Sequence, residues 1–218
     1  VLARGGIDGP HRRPDVTVVA GEGDTATVHR EHGIEYGLDF AEVMFSPGNK
    51  AERARMGEVV SEGERVLDMF AGIGYFTLPM ASGGARVTAI ERNPEAFSYL
   101  LENTVRNGVS DRVEPYRADC RDVIDSYDGE TFDRVVMGYY EAHEYLDSAL
   151  SVLRSGGTLH MHEATPGALV PDRPVERLRA AAADRDLSVD VLDTRKVKGY
   201  SEGVAHVVVD ARLPPRKS

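Results

Sequence analysis

The spacing of hydrophobic and polar positions changes at Arg65. From there to the end, short apolar runs rich in β-branched residues alternate with longer stretches of helical period, the pattern of a parallel sheet covered by helices on both faces. The runs fall at 65–68, 86–90, 113–117, 134–137, 158–162, 188–198 and 205–213, which predicts an α/β fold with a seven-stranded sheet. The helix after the second run carries its own start and stop signals. Asn93 is its N-cap, Pro94 its first helical residue, Glu95 and Glu102 lie along it, and Asn107-Gly108 is a C-cap pair. The last two runs are joined across 199–203, short enough for a hairpin closed by Gly203, so the sheet ends antiparallel. Before Arg65, the runs 16–20, 25–29 and 34–38 are separated by glycine-containing turns and predict a small β-rich element, with a boundary between Asp39 and Met44. Neither an internal repeat nor a low-complexity tract interrupts this order.

Length and composition bound the answer further. With 218 residues and 41% hydrophobic content, one α/β domain plus a short extra segment is expected. No apolar stretch approaches the roughly 18 to 20 residues of a membrane-spanning helix, and the start lacks the pattern of a signal peptide, so a soluble, cytoplasmic protein is expected, with no membrane partner. Cys120 is the one cysteine, which excludes an internal disulfide framework. The formal net charge of −10 argues against a nucleic-acid partner on its own. Yet lysine is confined to Lys50, Lys196, Lys198 and Lys217 amid abundant Arg, Asp and Glu, a balance that resembles proteins of a high-salt cytoplasm. At about 1 M salt the Debye length is only ~3 Å, and net charge then says little about binding.

The first chemical signal is the run Leu67-Asp68-Met69-Phe70-Ala71-Gly72-Ile73-Gly74-Tyr75-Phe76, a strand entering a Gly-x-Gly turn and then a helix. Gly72 and Gly74 remove side chains where a nucleoside and a methionine portion must pass, and Asp68 is placed to receive an ammonium. The second strand leads to Glu91, whose carboxylate can accept from both hydroxyls of a ribose. NAD is disfavoured, because Thr77 stands where the third glycine of a dinucleotide fingerprint belongs. After the third strand, Asp119 can accept from an adenine amino group while the Cys120 backbone faces the ring. Glycine turn, first acid and second acid in this order point to S-adenosylmethionine as the cofactor. The alternative is that Glu91 and Asp119 only cap helices.

After the fourth strand comes Met137-Gly138-Tyr139-Tyr140, where enzymes of this type place residues beside the reacting group. Amine methyltransferases often carry Asn or Asp followed by Pro here. Met137, Gly138 and Tyr139 offer no such acceptor, while Tyr139 and Tyr140 present faces for stacking a base or for packing under the next helix.

Together with Met44-Phe45-Ser46-Pro47-Gly48-Asn49-Lys50, Glu52-Arg53, Ala118-Asp119-Cys120-Arg121-Asp122 and residues 203–211, these segments resemble the archaeal tRNA family of guanine-37 N1-methyltransferases and wybutosine-pathway aminocarboxypropyltransferases. The resemblance runs from about Val16 to Leu213. It implies a class I S-adenosylmethionine-dependent methyltransferase fold, Rossmann-like, with cofactor contacts at Ser46, Arg53, Glu91, Asp119 and Cys120. It gives Arg53 the methionine carboxylate, against a surface pair with Glu52 or Glu58. The family's methyltransferases carry Phe-Ser-Pro-Arg and Asn-Leu-Pro. Gly48 and Met137-Gly138-Tyr139 instead match the aminocarboxypropyltransferase branch. The implied domains are residues 1–43, the tail of an upstream β-rich tRNA-docking region, and 44–218, the catalytic domain.

The implied function is transfer of the 3-amino-3-carboxypropyl group to 4-demethylwyosine at tRNA position 37, in the anticodon region. The alternatives are methylation of guanine or a wyosine precursor there, or a non-catalytic cofactor-binding tRNA module. No catalytic base is identified, and a monomer is expected. Four further features carry less. Cys120 follows the adenine-binding acid and lies away from the slot, which sets aside a nucleophilic role. His160, His162 and Glu163 suggest a metal cluster, but His160 and His162 share one strand face with no third ligand at suitable spacing, so sheet packing or pocket lining is expected and no metal. His143 either orients a substrate or starts a helix. Arg173, Arg177, Arg179 and Arg185 form either a phosphate-contacting surface or plain solvated charge.

Overall fold

A computed structural model describes residues 2–9, 13–21 and 25–215 of the chain; Val1 and Lys217 lie outside them. Seven strands form one sheet: β5 (Arg65–Asp68), β6 (Arg86–Ile90), β7 (Val113–Tyr116), β8 (Phe132–Met137), β9 (Leu153–Pro166), β10 (Asp190–Ser201) and β11 (Val204–Arg212). Their order across the sheet is β10-β11-β9-β8-β5-β6-β7. All pairings from β7 to β9 are parallel, and β11 enters antiparallel between β9 and β10. The expected antiparallel end is therefore present. Strand β9 is longer than the apolar run 158–162, because β11 pairs with it from Thr158 to Pro166 and Phe132 pairs with Leu153.

The helices are α1 (Lys50–Val59), α2 (Thr77–Ser82), α3 (Pro94–Arg106), α4 (Cys120–Ile124), α5 (Leu146–Val152) and α6 (Asp172–Ala183). Asn93 caps α3 as expected, its side chain accepting from the Glu95 amide at 3.0 Å. The helix ends at Arg106 with Asn107 as its C-cap, and Gly108 turns the chain with φ 65.

The segment before β5 departs from the expected single element. It forms two hairpins: β1 (Leu2–Asp8) with β2 (Arg13–Val18), and β3 (Ala26–Glu31) with β4 (Ile34–Asp39). The run 16–20 had predicted only part of β2, and β1 gave no clear apolar signal. The β3–β4 hairpin is sewn to α3. Asn103 accepts from the Gly37 amide at 2.7 Å and donates to the Gly37 and Ile73 carbonyls at 3.0 Å each. Tyr36, Leu38, Val43 and Phe45 are buried in the same apolar cluster as Val66, Leu78 and Leu100, so one core runs across residues 43 and 44. A second cluster fills the opposite face of the sheet, beneath α4, α5 and α6.

The strand order reverses direction between β5 and β8. In an open parallel sheet, that reversal opens a crevice at the carboxyl ends of the strands. The turns after β5, β6, β7 and β8 all meet there.

Candidate cofactor and reaction cleft

A cleft of about 1140 Å³, its open mouth included, lies over these strand ends. Ser46, Arg53, Gly72, Glu91, Asp119, Cys120, Gly138 and Tyr139 all line it, although they come from six separate stretches of chain.

The turn after β5 forms the floor. Gly72 has φ 57 and Gly74 φ 100, a conformation that disfavours any side chain. At Gly72 a Cβ would stand 2.3 Å from the Tyr75 ring, and at Gly74 2.7 Å from Leu78. The two glycines therefore act differently. Gly72 faces the cleft, while Gly74 lets α2 and α3 close beneath the turn.

Asp68 does not line the cleft, which corrects the expected ammonium contact. It is 0% exposed, and the Thr77 hydroxyl donates to it at 2.7 Å from the start of α2. The carboxylate ties strand to helix below the floor. Burial lifts its pKa to about 6, opposed by the Thr77 hydrogen bond.

Glu91 rises from the end of β6 with each oxygen fixed by one backbone amide, Gly72 at 2.8 Å and Asn93 at 2.7 Å. Burial pushes its pKa up, and these amides hold it back. A carboxylate oxygen has two lone pairs, so each retains acceptor capacity for a hydroxyl. Asp119 accepts from the Arg121 amide at 3.0 Å, capping α4, and pairs with the Arg121 guanidinium at 2.9 and 2.8 Å. Those Arg121 hydrogen bonds lower its pKa against a smaller effect of burial. Asp119 thus caps a helix and lines the cleft at once, while Glu91 lines it and holds the amides of two turns. Cys120 is buried at the same turn. Burial, with the Asp119 charge adding, pushes its thiol up to about 12, which leaves it protonated and unsuited to attack.

At the reaction slot, Met137 is fully buried below the wall, whereas Gly138 and Tyr139 line it. A Cβ at Gly138 would lie 2.7 Å from the Phe76 ring, so this rung carries no side chain. The Tyr139 ring packs 5.1 Å from Phe70, and its hydroxyl donates to Glu141 at 2.6 Å. Tyr140 lies between Tyr200 and His206, with centroids at 4.5 and 4.9 Å. Both tyrosines pack and line the cleft at once.

The opposite wall comes from the turn 46–49 and α1. Arg53 is 2% exposed and pairs with neither Glu52 nor Glu58. Its guanidinium meets both carboxylate oxygens of Glu31, at 2.9 Å through Nη2 and by a short contact through Nε, and donates to the Ser46 carbonyl at 2.8 Å. The Phe45 ring lies 4.9 Å from its guanidinium carbon.

Within the sheet, His160 bonds Asp210 at 2.6 Å, and His162 bonds His206, a residue of the cleft wall, at 2.9 Å. His143 sits in the 3-10 turn Ala142–Tyr145, 3.8 Å from Glu163. Arg173 and Arg177 converge on buried Glu163 at 3.0 and 3.1 Å, Arg185 pairs with Asp147 at 2.6 Å, and Arg179 is exposed.

Reading the sequence missed Glu31, which holds Arg53, and His206, which lines the cleft. Glu31 belongs to the hairpin read as a separate element. His206 sits in the terminal hairpin opposite Lys198, and no local pattern marks it.

Residues 27–192 match the model of the TRM5/TYW2 methyltransferase domain. The chain is 44% identical over 98% of its length to a tRNA(Phe) (4-demethylwyosine(37)-C(7)) aminocarboxypropyltransferase of Pyrococcus horikoshii, covering 76% of that protein. A protein of the same name from Methanocaldococcus jannaschii is 43% identical over 95% of this chain and 82% of its own. A tRNA (guanine(37)-N(1))-methyltransferase Trm5b of Pyrococcus abyssi is 36% identical over 95% of this chain and 61% of its own. The crystal structure of P. horikoshii TYW2 in complex with MeSAdo superposes with a TM-score of 0.84 at 41% identity, over 93% of this chain and 75% of that one.

Proposed function

Because this chain belongs to the TRM5/TYW2 methyltransferase-domain family, we infer that it transfers the 3-amino-3-carboxypropyl group of S-adenosylmethionine to 4-demethylwyosine at tRNA position 37. The observation that carries the choice of branch is the higher identity, 44% and 43%, to proteins named for that transfer than the 36% to a methyltransferase. The bare Gly138 rung agrees with it, since no side chain there can hold an amine edge.

The cleft residues suit S-adenosylmethionine. Glu91 is pre-set by two amides to accept from ribose hydroxyls, Gly72 opens the floor, and Asp119 with the Cys120 turn closes the adenine end. Ser46 and Arg53 bound the methionine end. Met137 supports the slot from below, Gly74 and Asp68 hold the floor in shape, and Tyr139 and Tyr140 offer ring faces to a base. A sulfonium makes each of its three flanking carbons electrophilic, so aim decides which one reacts. In aminocarboxypropyl transfer the bond from sulfur to the γ-carbon breaks with its electron pair going to sulfur. The γ-carbon bonds to C7 of the base, C7 loses its proton, and 5′-methylthioadenosine leaves.

The tRNA is engaged near its anticodon, with Arg173, Arg177 and Arg179 as phosphate contacts around α6 and residues 1–43 as part of a docking region. The protein works as a cytoplasmic monomer, and its acid-rich, lysine-poor surface suits a salt-rich archaeal cytoplasm. No helix among the described residues is long and apolar enough to cross a membrane. Chromatography of the nucleoside by-product after turnover on precursor tRNA tests the reaction. Methylthioadenosine supports it, S-adenosylhomocysteine alone moves the assignment to methylation, and neither product supports a non-catalytic binding module.

A further inference from the structure

Beside the cleft stands an aromatic ring to which neither the cofactor nor the target base gives a task. Of the six phenylalanines and nine tyrosines, Tyr200 alone is exposed among the described residues, at 47%, and the others are buried or half-buried. Single exposed apolar side chains are ordinary on protein surfaces, so exposure by itself assigns nothing. The position of this ring assigns more.

Tyr200 lies near the tip of the terminal hairpin, where the pairing of β10 with β11 slips. Gly199 faces Ala205 and Ser201 faces Val204, so Tyr200 is the extra residue of a β-bulge. A bulge takes one residue out of the ladder and re-aims its side chain. Here the ring is turned onto Tyr140, with centroids 4.5 Å apart and planes at 62°, and Tyr140 lines the cleft. Both rings are held from behind. The hairpin tip is fastened by the Gly167 amide, which donates to the Gly203 carbonyl at 2.8 Å. Tyr140 packs against His206 on its other side, and its carbonyl accepts from the Ala164 amide at 3.0 Å.

An enzyme acting on one base of an RNA loop takes that base out of the stack, and the bases beside it lose a neighbour as it leaves. Those bases stay at the mouth of the cleft. A fixed and exposed ring there can replace the lost neighbour, and it needs no sequence-specific contact because every base has a flat face. We propose that Tyr200 is a stacking platform for a nucleotide next to the target base. The pair Tyr140 and Tyr200 then receives the target inside the cleft and its neighbour at the rim. The bulge holds the ring in place before RNA arrives, so little side-chain freedom is lost on binding. The occupant is a nucleotide because the ring continues the aromatic lining of a cleft that takes a base.

This role rests on the reading of the cleft as a tRNA-modifying site, and a double-mutant cycle separates the two. Fluorescence anisotropy measures binding of a labelled anticodon stem-loop RNA to the whole chain. The RNA is intact or carries an abasic nucleotide on the 5′ or the 3′ side of position 37. Tyr200→Ala is expected to weaken binding of the intact RNA roughly 5- to 100-fold, the range of base–aromatic stacking. Removing the stacked base should weaken binding to the wild type about as much, and Tyr200→Ala should then add less than about twofold, since both changes delete one contact. Tyr200→Trp should keep the intact affinity within about threefold. Calorimetry should show S-adenosylmethionine affinity changed less than about twofold in either variant, the sites being separate. Additive losses with both abasic RNAs, or an unchanged RNA affinity, would overturn the proposal. So would an equal loss of S-adenosylmethionine affinity, which would mean that the ring only props Tyr140. If the wild type shows the coupling but releases only S-adenosylhomocysteine on turnover, the aminocarboxypropyl reading fails and the stacking role stands. If the wild type binds no anticodon RNA, both fall.

Discussion

Arg53 and Glu31 form a two-point ion pair in the interior, joining α1 to the β3–β4 hairpin that precedes it. The pair fastens that hairpin to the body that carries the cleft. A buried guanidinium needs a carboxylate, and here it is one that the hairpin delivers to the cleft wall.

Breaking that pair on one side should be costly. Glu31→Gln leaves Arg53 charged and buried, and a loss of about 3 to 5 kcal/mol of stability is expected, the usual cost of orphaning one member of a buried pair. Denaturant unfolding measures it as a lower midpoint at unchanged slope. A loss under about 1 kcal/mol would mean that Arg53 can swing to water.

For the cofactor, Glu91→Ala should reduce S-adenosylmethionine affinity by about 1 to 3 kcal/mol. The same change frees the Gly72 and Asn93 amides, so a smaller loss of thermal stability accompanies it. Titration calorimetry on a folded variant with wild-type affinity would remove Glu91 from the ribose.

Gly138 and Phe76 should behave as a coupled pair. Gly138→Ala puts a methyl group 2.7 Å from the Phe76 ring, which is itself 4% exposed and boxed in. The expectation is a drop in kcat of roughly tenfold, about 1.4 kcal/mol of misplacement, with S-adenosylmethionine binding little changed. Adding Phe76→Leu should restore part of the rate. Additive losses in the double variant would place the effect elsewhere.

The buried histidines predict a pH dependence. Burial lowers His162 to about 3, with the His160 charge adding, and lowers His206 to about 2, with His162 and Lys198 adding. Unfolded histidines titrate near 6.5, so below that pH the unfolded chain binds protons that the native state refuses. Stability is therefore full above about pH 6.5 and falls as pH drops, by up to about 1.4 kcal/mol per unit for each histidine. Asp68, raised to about 6, works in the opposite sense by taking up a proton in the native state, and offsets part of the slope. Replacing both histidines with Gln should flatten the profile between about pH 6.5 and 5 when urea midpoints are compared. A slope unchanged by the replacements would show that the pair is not its source.

The strands from Arg65 onward, the helix capped by Asn93, the glycine turn and the strand-end positions of Glu91, Asp119 and Gly138 were legible in the sequence. Each of these is a local pattern: an apolar period, a cap, or a residue type at the end of a strand, read within a few neighbouring positions. Tertiary structure alone decided that Asp68 braces Thr77 beneath the floor, because the face a strand-end side chain takes depends on what packs there. It also decided that Arg53 meets Glu31, 22 residues away, and that Lys198 reaches Ser46 across 152 residues. Contacts at such separations leave no periodic trace in the chain. They exist because the terminal hairpin closes one edge of the sheet while the β3–β4 hairpin packs on α3, and those two placements together build the wall of the cleft that the cofactor's methionine end would face.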